Sequence, residues 1–321
     1  MVSASELEEI HTFAVELAKK AGAAIIAGSS KRFESSAGFD EKKNTADLVT
    51  ETDQATEELV KREISTKYPD HDFIGEESWA AGQEGVIGDK ITWIVDPIDG
   101  TTNFVHGFPY TCISVGVVVG KKPAIGVVYA PFLEYLYSAR TGNGAFLSTP
   151  QSPTPRRLPL AKPQPLPSLR QALIAFEWGS DRRKHILDQK LNSFAKITGD
   201  PDSVGGGKMC QGVRSMGSAA LNFSNVAAGN IDLYWEIGCW AWDVCAGVVI
   251  AQEAGCAVVG SKKAAAEAAQ GSSFNDVTPE LLTGRKYVVV RAISPGQNES
   301  ETDAQKRILN EFYGCVDEWD P

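Results

Sequence analysis

The sequence predicts a layered fold that combines α-helices with β-sheet. Three observations support this prediction. Apolar side chains recur at helical spacing near the N-terminus, β-prone runs separated by tight turns follow one another between residues 112 and 147, and strand-like and helix-like segments alternate from residue 170 onward. Of the 321 residues, 43% are hydrophobic and 22% are charged, which is typical of a globular protein with a sizeable core.

The composition restricts the partners and the compartment. A formal net charge of −10 argues against nucleic acid or an anionic membrane as a partner, although a bound divalent cation would still permit an anionic substrate. The six cysteines form no C-x-x-C motif and lie mostly in apolar runs, which predicts reduced thiols. The N-terminus has no signal-peptide core, and no run approaches the roughly 20 apolar residues of a membrane span. We therefore expect a cytoplasmic protein that does not cross a membrane.

Two helices are predicted before residue 70. The pattern Ser5-Glu6-Leu7-Glu8 reads as a capping box that begins the first helix, and Gly28 is expected to end it. Residues 29–46 are polar and are expected to form a mobile loop. Thr50 and Thr52 offer caps for the second helix, which places Asp53 in its first turn. An aspartate in this position can simply stabilise the helix dipole, so Asp53 alone does not indicate a site.

A short strand is expected at residues 72–78, where it leads into Gly75 and the adjacent glutamates Glu76 and Glu77. Adjacent glutamates at the end of a strand are commonly solvated, so this pair alone does not indicate a site either.

The stretch from Trp93 to Phe104 carries the strongest chemical signal. A buried strand runs to Asp96, and Pro97 is expected to end it and to hold Asp96 in an extended conformation. Asp99 follows across a turn that Gly100 permits, and Thr101 and Thr102 can cap a helix whose free N–H groups bind an anion. Two carboxylates beside a helix N-terminus suit a phosphate bridged by Mg²⁺, although an ordinary strand-turn-helix corner has the same pattern.

The remaining chain divides at a proline-rich tract. We predict an N-terminal α+β half with an antiparallel meander at residues 1–149, a proline-rich connection at 150–169 and a C-terminal α/β half at 170–321. In the second half, strands are expected at 172–176, 231–235 and 287–292, and helices at 181–196, 218–228, 242–254 and 301–312. Glu236 then follows a strand, and Asp243 lies in the first turn of a helix.

Several other phosphate chemistries are excluded by their motifs. Gly205-Gly206-Gly207-Lys208 lacks the remaining residues of a P-loop, Cys210 and Arg214 are too close for a C-x5-R signature, and the four histidines are scattered. The chain therefore shows none of these nucleophile or phosphate-binding motifs.

Three separated segments, residues 75–78, 93–104 and 242–247, resemble in order the inositol monophosphatase family of Mg²⁺-dependent, lithium-sensitive phosphatases. The resemblance covers most of residues 5–260. It implies a layered αβαβα sandwich of the sugar-phosphatase type and a homodimer. The proline-rich tract and residues 261–279 look like additions to the family core, similar to those of fungal members, including the one in the quinate gene cluster.

The resemblance also implies two or three Mg²⁺ ions and a role for each site residue. Glu76, Asp96 and the carbonyl of Ile98 would hold the first ion. Asp96, Asp99 and Asp243 would hold the second ion. Glu76 would also contribute to the binding of a third ion. Asp53 and Thr101 would orient and deprotonate the attacking water. The expected substrate contacts are Asp99, Gly100, Thr101, Thr102, Gly217, Ser218, Ala219, Glu236 and Asp243, with Lys43 near the metals.

The function expected from this resemblance is hydrolysis of myo-inositol monophosphates to myo-inositol and phosphate. A related sugar-phosphate, histidinol-phosphate or bisphosphate-nucleotide phosphatase stays open, as does a quinate-cluster homologue with another substrate or a regulatory role. The segment Thr101-Thr102-Asn103-Phe104 resembles the monophosphatase branch more than the nucleotidase branch. Trp240 and Trp242 depart from the pattern of the family. Trp242 is expected in the core, whereas Trp240 could line the pocket for the substrate ring.

Overall fold

The structure is a computed structural model that describes residues 2–31, 40–41, 48–270 and 274–321. The helices are α1 (Ala4–Lys31), α2 (Glu51–Lys67), α3 (Glu76–Ala80), α4 (Thr101–His106), α5 (Lys184–Thr198), α6 (Ala219–Ala228), α7 (Ala241–Glu253), α8 (Lys262–Gln270), α9 (Pro279–Thr283) and α10 (Glu301–Tyr313). The strands are β1 (Asp40–Glu41), β2 (Leu48–Val49), β3 (Asp72–Gly75), β4 (Thr92–Asp99), β5 (Cys112–Val119), β6 (Lys122–Ala130), β7 (Tyr135–Arg140), β8 (Gly144–Thr149), β9 (Ser152–Arg157), β10 (Leu173–Phe176), β11 (Gly212–Arg214), β12 (Leu233–Ile237), β13 (Ala257–Val259) and β14 (Lys286–Val290).

The first large sheet has the strand order β3-β4-β5-β6-β7-β8-β9. All neighbouring pairs are antiparallel except β3 and β4, which run parallel. The predicted antiparallel meander is therefore confirmed for β5 to β8. Residues 152–157, inside the proline-rich tract, extend this sheet as the edge strand β9, a position in which proline is tolerated because one side of the strand needs no ladder partner.

The second large sheet has the order β11-β10-β12-β14-β13. Strand β10 pairs in parallel with both β11 and β12, whereas β14 pairs antiparallel with β12 and β13. The ends of β10 and β12 therefore point in the same direction, which brings the residues that follow them to one edge of the sheet.

The helices and sheets form five layers. Helices α1 and α2 pack on one face of the first sheet through a cluster that includes Ile10, Val60 and Trp93. Helices α6 and α7 lie between the two sheets, and α10 covers the outer face of the second sheet together with Ile186 of α5. This is the αβαβα sandwich that was expected. The hydrophobic core between the two sheets, called the middle core below, contains side chains from both predicted halves. The domain boundaries at residues 149 and 170 stay a prediction.

The approach of α7 to the first sheet depends on two glycines. A Cβ on Gly126 would lie 2.2 Å from the carbonyl oxygen of Ala246, and a Cβ on Gly116 would lie 2.5 Å from the Sγ of Cys245. Ser114 Oγ also donates to the carbonyl of Trp242 at 2.9 Å. These contacts place the first turn of α7 beside the end of β4.

Two expectations about local structure were wrong. The capping box of α1 is formed by Ser3 and Glu6, although the helix ends at Lys31, directly after the expected stop at Gly28-Ser29-Ser30. Pro97 does not end β4, which reaches Asp99. The pairing of β4 with β5 is irregular between Asp96 and Asp99, so Pro97 lies where no ladder hydrogen bond is required of it.

All six cysteines are free. Among the described residues, none of the helices combines the length and the apolar composition needed to cross a bilayer.

We predict that Gly126→Ala lowers the free energy of unfolding by about 3 kcal/mol, because the methyl group would overlap the backbone of α7 and force the helix away from the sheet. Urea unfolding of the purified protein measures this change. Gly205→Ala is the matched control, since a Cβ on Gly205 meets nothing within 4 Å. Equal stability of the two variants would show that α7 does not depend on this close approach.

Candidate metal centre

Three carboxylates from two separate elements meet at the seam between the first sheet and α7. Asp96 and Asp99 belong to β4 and Asp243 to the first turn of α7, and each offers an oxygen within 4.8 Å of the others. Asp96 and Asp99 are 1% and 6% exposed. Buried oxygen ligands at this spacing are the donor set that a hard divalent cation prefers.

Each of the three is held by hydrogen bonds from nearby groups. The N–H of Ile98 donates to Asp96 Oδ1 at 2.9 Å, and the N–H of Trp240 donates to Asp243 Oδ2. The Asp99 carboxylate accepts hydrogen bonds at the start of α6, as described below. The carboxylates are therefore oriented before any ligand binds.

Burial and mutual repulsion disfavour the charged forms of these acids. Burial, followed by the charges of Asp99 and Glu76, raises the pKa of Asp243 to about 8. Burial, followed by the charges of Glu76, Asp99 and Asp243, also raises the pKa of Asp96 well above its ordinary value. For Asp99, burial raises the pKa to about 6, against three hydrogen bonds that lower it. Such a cluster can ionise fully only with a cation, and divalent metal ions fit it.

Glu76 is the first residue of α3 and is half-buried. Its charge contributes to the raised pKa values of Asp53 and of the three clustered aspartates, which places its carboxylate among them. Its helix is held by Glu57, a buried residue that sequence reasoning missed. Glu57 accepts hydrogen bonds from the N–H groups of Glu77 and Ser78, both at 2.7 Å. The available signal was its position one helical turn after Asp53.

Asp53 and Thr101 form a second polar pair at the cluster. Thr101 Oγ1 lies 3.1 Å from Asp53 Oδ1 and 3.1 Å from the carbonyl oxygen of Ile98. The other oxygen of Asp53 accepts from the N–H of Thr50 at 3.0 Å and from the Thr50 hydroxyl, in a capping box at the start of α2. Burial, the largest cause, raises the pKa of Asp53 to about 6.

Gly100, not a threonine, is the N-cap of α4, so the expectation that Thr101 and Thr102 cap this helix was wrong. Gly100 has φ +93°, and a Cβ there would lie 2.9 Å from the carbonyl oxygen of Gly217. The glycine thus allows the tight turn after Asp99 and leaves the Thr101 hydroxyl free to contact Asp53.

Asp99 connects the cluster to the second half of the chain. Its Oδ2 accepts from Ser218 Oγ and from the N–H of Ala220, both at 2.7 Å, and its Oδ1 accepts from the N–H of Ala219 at 3.3 Å. The predicted site residues Ser218 and Ala219 therefore lie against a predicted metal ligand.

Glu177 is a second carboxylate that sequence reasoning missed. It follows β10, and its Oε1 accepts from the N–H groups of Met216 at 2.7 Å and Gly217 at 3.0 Å and from Asn222 Nδ2 at 2.8 Å. Its Oε2 accepts from Ser215 Oγ at 2.8 Å. It therefore fixes the loop that contains the predicted site residue Gly217. The available signal was an acid directly after a buried strand.

Glu236 lies near the end of β12 and is 7% exposed. Tyr234 donates its hydroxyl proton to Glu236 Oε2 at 3.1 Å. Burial and then the charge of Glu177 raise the pKa of Glu236 to about 8. Because β10 and β12 run parallel, Glu177 and Glu236 lie at the same edge of the second sheet.

Trp240 and Trp242 differ in how deeply they are buried. Trp242 is 4% exposed and belongs to the middle core, as expected. Trp240 is only half-buried, stacks on Trp242 at 5.2 Å between ring centroids, and lies under the guanidinium of Arg285 at 3.9 Å. With Trp79 of α3, both line a cavity of about 340 Å³.

Lys43 lies outside the described residues.

The family model described as the inositol monophosphatase family matches residues 6–305. Protein qutG of Emericella nidulans is 41% identical over 98% of this chain and 96% of its own length. Quinic acid degradation cluster protein x of Neurospora crassa is 38% identical over 98% of this chain and 95% of its own.

A solved structure, the inositol monophosphatase from Anabaena, has a TM-score of 0.68 at 27% identity and covers 98% of both chains. Together with the family match over residues 6–305, these findings show that the chain belongs to the inositol monophosphatase family.

Proposed function

We propose that this protein hydrolyses myo-inositol monophosphates to myo-inositol and phosphate in a Mg²⁺-dependent reaction. The observation that carries the proposal is the cluster of Asp96, Asp99 and Asp243, which lies beside the Asp53–Thr101 pair. Membership of the family supports phosphatase chemistry, and the substrate, the metal, the lithium sensitivity, the homodimer and the cytoplasmic location are parts of the proposal.

The proposed metal ligands are the carboxylate and carbonyl oxygens in and beside the acidic cluster. Glu76, Asp96 and the carbonyl of Ile98 would hold one Mg²⁺, and Asp96, Asp99 and Asp243 a second, with Glu76 also available to a third. Magnesium bound at these residues would neutralise the phosphate and lower the pKa of a water molecule. The raised pKa values of the clustered acids support this assignment, because a cation would compensate the buried charges.

The Asp53–Thr101 pair would act as the proton acceptor. Thr101 Oγ1 can accept a hydrogen bond from the attacking water while its own proton points to Asp53 Oδ1 at 3.1 Å. The proton lost by water would then reach the Asp53 carboxylate through the threonine hydroxyl. Because burial raises the pKa of Asp53 to about 6, this carboxylate is suited to accept a proton near neutral pH.

The remaining residues would hold the substrate. The N–H groups of Gly100, Thr101 and Thr102 at the start of α4 would receive phosphate oxygens, as the family resemblance implies. Ring hydroxyls would be contacted by Asp99, Glu236 and Asp243 and by the segment Gly217, Ser218 and Ala219. The hydrogen bonds from Ser218 and Ala219 to Asp99 support a pocket in which the ring is placed directly beside the metal ligands.

A second candidate is a phosphatase for another polyhydroxylated phosphomonoester. The observation that favours it is the similarity, over almost the whole chain, to a protein named for a quinic acid degradation cluster. Histidinol-phosphate and bisphosphate-nucleotide hydrolysis and a regulatory role stay open as further alternatives.

Phosphate release from a substrate panel tests the proposal. With Mg²⁺ we expect myo-inositol monophosphate to be preferred over sugar phosphates, histidinol phosphate, adenosine bisphosphate and p-nitrophenyl phosphate. Exhaustive chelation should abolish turnover, and lithium should inhibit it. Full turnover after chelation would contradict the metal assignment, and a strong preference for another phosphomonoester would contradict the substrate.

Asp96→Asn is predicted to lower kcat about a thousandfold, because it removes the charge proposed to contact both metals. The metal-free variant should nevertheless resist unfolding at least as well as the wild type, since asparagine is neutral in both states, whereas burial of Asp96 favours uptake of a proton on folding. Steady-state kinetics and thermal unfolding measure the two effects. Asp89→Asn is the control, because Asp89 is an exposed partner of Lys121. Near-normal kcat in folded Asp96→Asn would refute the assignment.

The stability of the metal-free protein should fall as the pH rises from about 4 to 8. Burial raises the pKa of Asp53 and Asp99 to about 6 and that of Asp243 to about 8, from an ordinary value of 3.8. In this window the folded protein binds more protons than the unfolded chain, so the free energy of unfolding decreases with pH. Stabilisation by Mg²⁺ should increase over the same window. Thermal unfolding at several pH values checks both trends, and a Mg²⁺ effect that shrinks with rising pH would contradict them.

A further inference from the structure

Lys190 is a lysine of α5 that is only 1% exposed. Burying an ammonium group is costly unless other groups compensate its charge. None of the proposed catalytic steps uses this residue, so its burial requires a different explanation.

The surroundings of Lys190 lead to the substrate edge of the second sheet. Its Nζ donates to the carbonyl of Trp178 and, at 3.3 Å, to the carbonyl of Asp181. The ammonium also lies 5.3 Å from the ring centroid of Trp319. Lys190 therefore fixes the loop at residues 178–181, which follows β10 and lies beside the end of β12.

The ammonium and the carboxylate of Glu236 face each other across Gly179. A Cβ on Gly179 would lie 3.6 Å from Lys190 Nζ and 3.6 Å from Glu236 Oε1, and Gly179 has φ +58°. The glycine leaves the space between the two charges free of side-chain atoms. Lys190 is thus a buried cation directed toward the acid that is proposed to contact the substrate ring.

The other groups around Glu236 mostly oppose its ionisation. The carboxylates of Glu177 and Asp243 raise its pKa, whereas the Tyr234 hydroxyl and Lys190 lower it. The Cys239 thiol lies beside Tyr234. Burial is the largest influence on Lys190 and lowers the pKa of its ammonium; the charge of Glu236 opposes this, Arg182 adds to it, and Asp181 also opposes it.

We propose that Lys190 is a positioning residue for substrate discrimination, because it holds the 178–181 loop and compensates the charge of Glu236. The ammonium favours the carboxylate form of Glu236, which accepts hydrogen bonds from the substrate hydroxyls. This inference rests on the proposed function and adds a residue that determines its specificity. Lys190 itself contacts neither the substrate nor the metals in this proposal.

The test compares a polyol substrate with one that has no ring hydroxyls. In Lys190→Met, KM for myo-inositol 1-phosphate should rise about tenfold, whereas its kcat and the kcat/KM for p-nitrophenyl phosphate should stay within about twofold. The ratio of the two kcat/KM values is independent of the active fraction, so a partly unfolded variant remains informative. Lys190→Gln, which retains an N–H donor without the charge, should show the same change.

Lys196→Met is the matched control. Lys196 lies on the same helix, its side chain is 30% exposed, and it pairs with Asp317 at 3.8 Å. This variant should leave the ratio unchanged. In a Glu236→Gln background, Lys190→Met should have no further effect on the ratio, because the carboxylate whose charge Lys190 compensates is absent.

The pH dependence of the ratio separates this role from a structural one. In the wild type the ratio should rise as Glu236 ionises. This rise is expected around pH 8, because burial raises the pKa of Glu236 to about 8. In Lys190→Met the rise should move to higher pH. The titrations of Asp99 and Asp243, which are also proposed to contact the ring hydroxyls, occur in both proteins, so the shift between the wild type and Lys190→Met reports on Glu236.

Two results would overturn the inference while leaving the proposed function intact: an equal loss of kcat/KM on both substrates in Lys190→Met, or an undiminished effect in the Glu236→Gln background. The proposed function is tested separately by the wild type. It fails if the wild type does not hydrolyse myo-inositol 1-phosphate.

Discussion

The repulsion among Asp96, Asp99 and Asp243 is the constraint on which the rest of the site depends. Three carboxylates within 4.8 Å are unfavourable in a buried environment, and their raised pKa values express this cost. The fold nevertheless brings them together, because the close contact of α7 with Gly116 and Gly126 fixes the helix against the sheet. The stability of the packed core offsets the electrostatic cost, and a divalent cation would remove it.

Orientation of the acids comes from a surrounding set of hydrogen bonds. Thr50 fixes Asp53, Glu57 fixes the helix that begins at Glu76, and Glu177 fixes the loop before Ser218. A carboxylate that accepts two or three such bonds has little freedom to reorient. The site therefore needs few large movements to reach a defined geometry, and much of its precision resides in residues that would not contact a substrate.

The parts of this arrangement that are local in sequence could be predicted. The meander from β5 to β8 follows from alternating apolar runs and tight turns, whereas Asp53, Asp96 and Asp243 are assigned to one site through the family resemblance. The capping box of α1 could not be decided locally, since Ser3 with Glu6 and Ser5 with Glu8 both satisfy its pattern. The roles of Glu177 and Lys190 depend on contacts between residues distant in the chain, and neither residue belongs to a recognisable motif.

The two halves of the chain contribute differently to the proposed reaction. The first half supplies Asp53, Asp96 and the turn at Gly100, whereas Glu236 and its neighbours come from the second sheet. Asp99 joins the two sets, because one carboxylate both belongs to the acidic cluster and accepts hydrogen bonds at the start of α6. Changes along the edge formed by β10 and β12 can therefore alter which alcohol is bound without moving the metal ligands. In the proposed reaction, this separation would let the alcohol specificity change while the metal ligands stay in place.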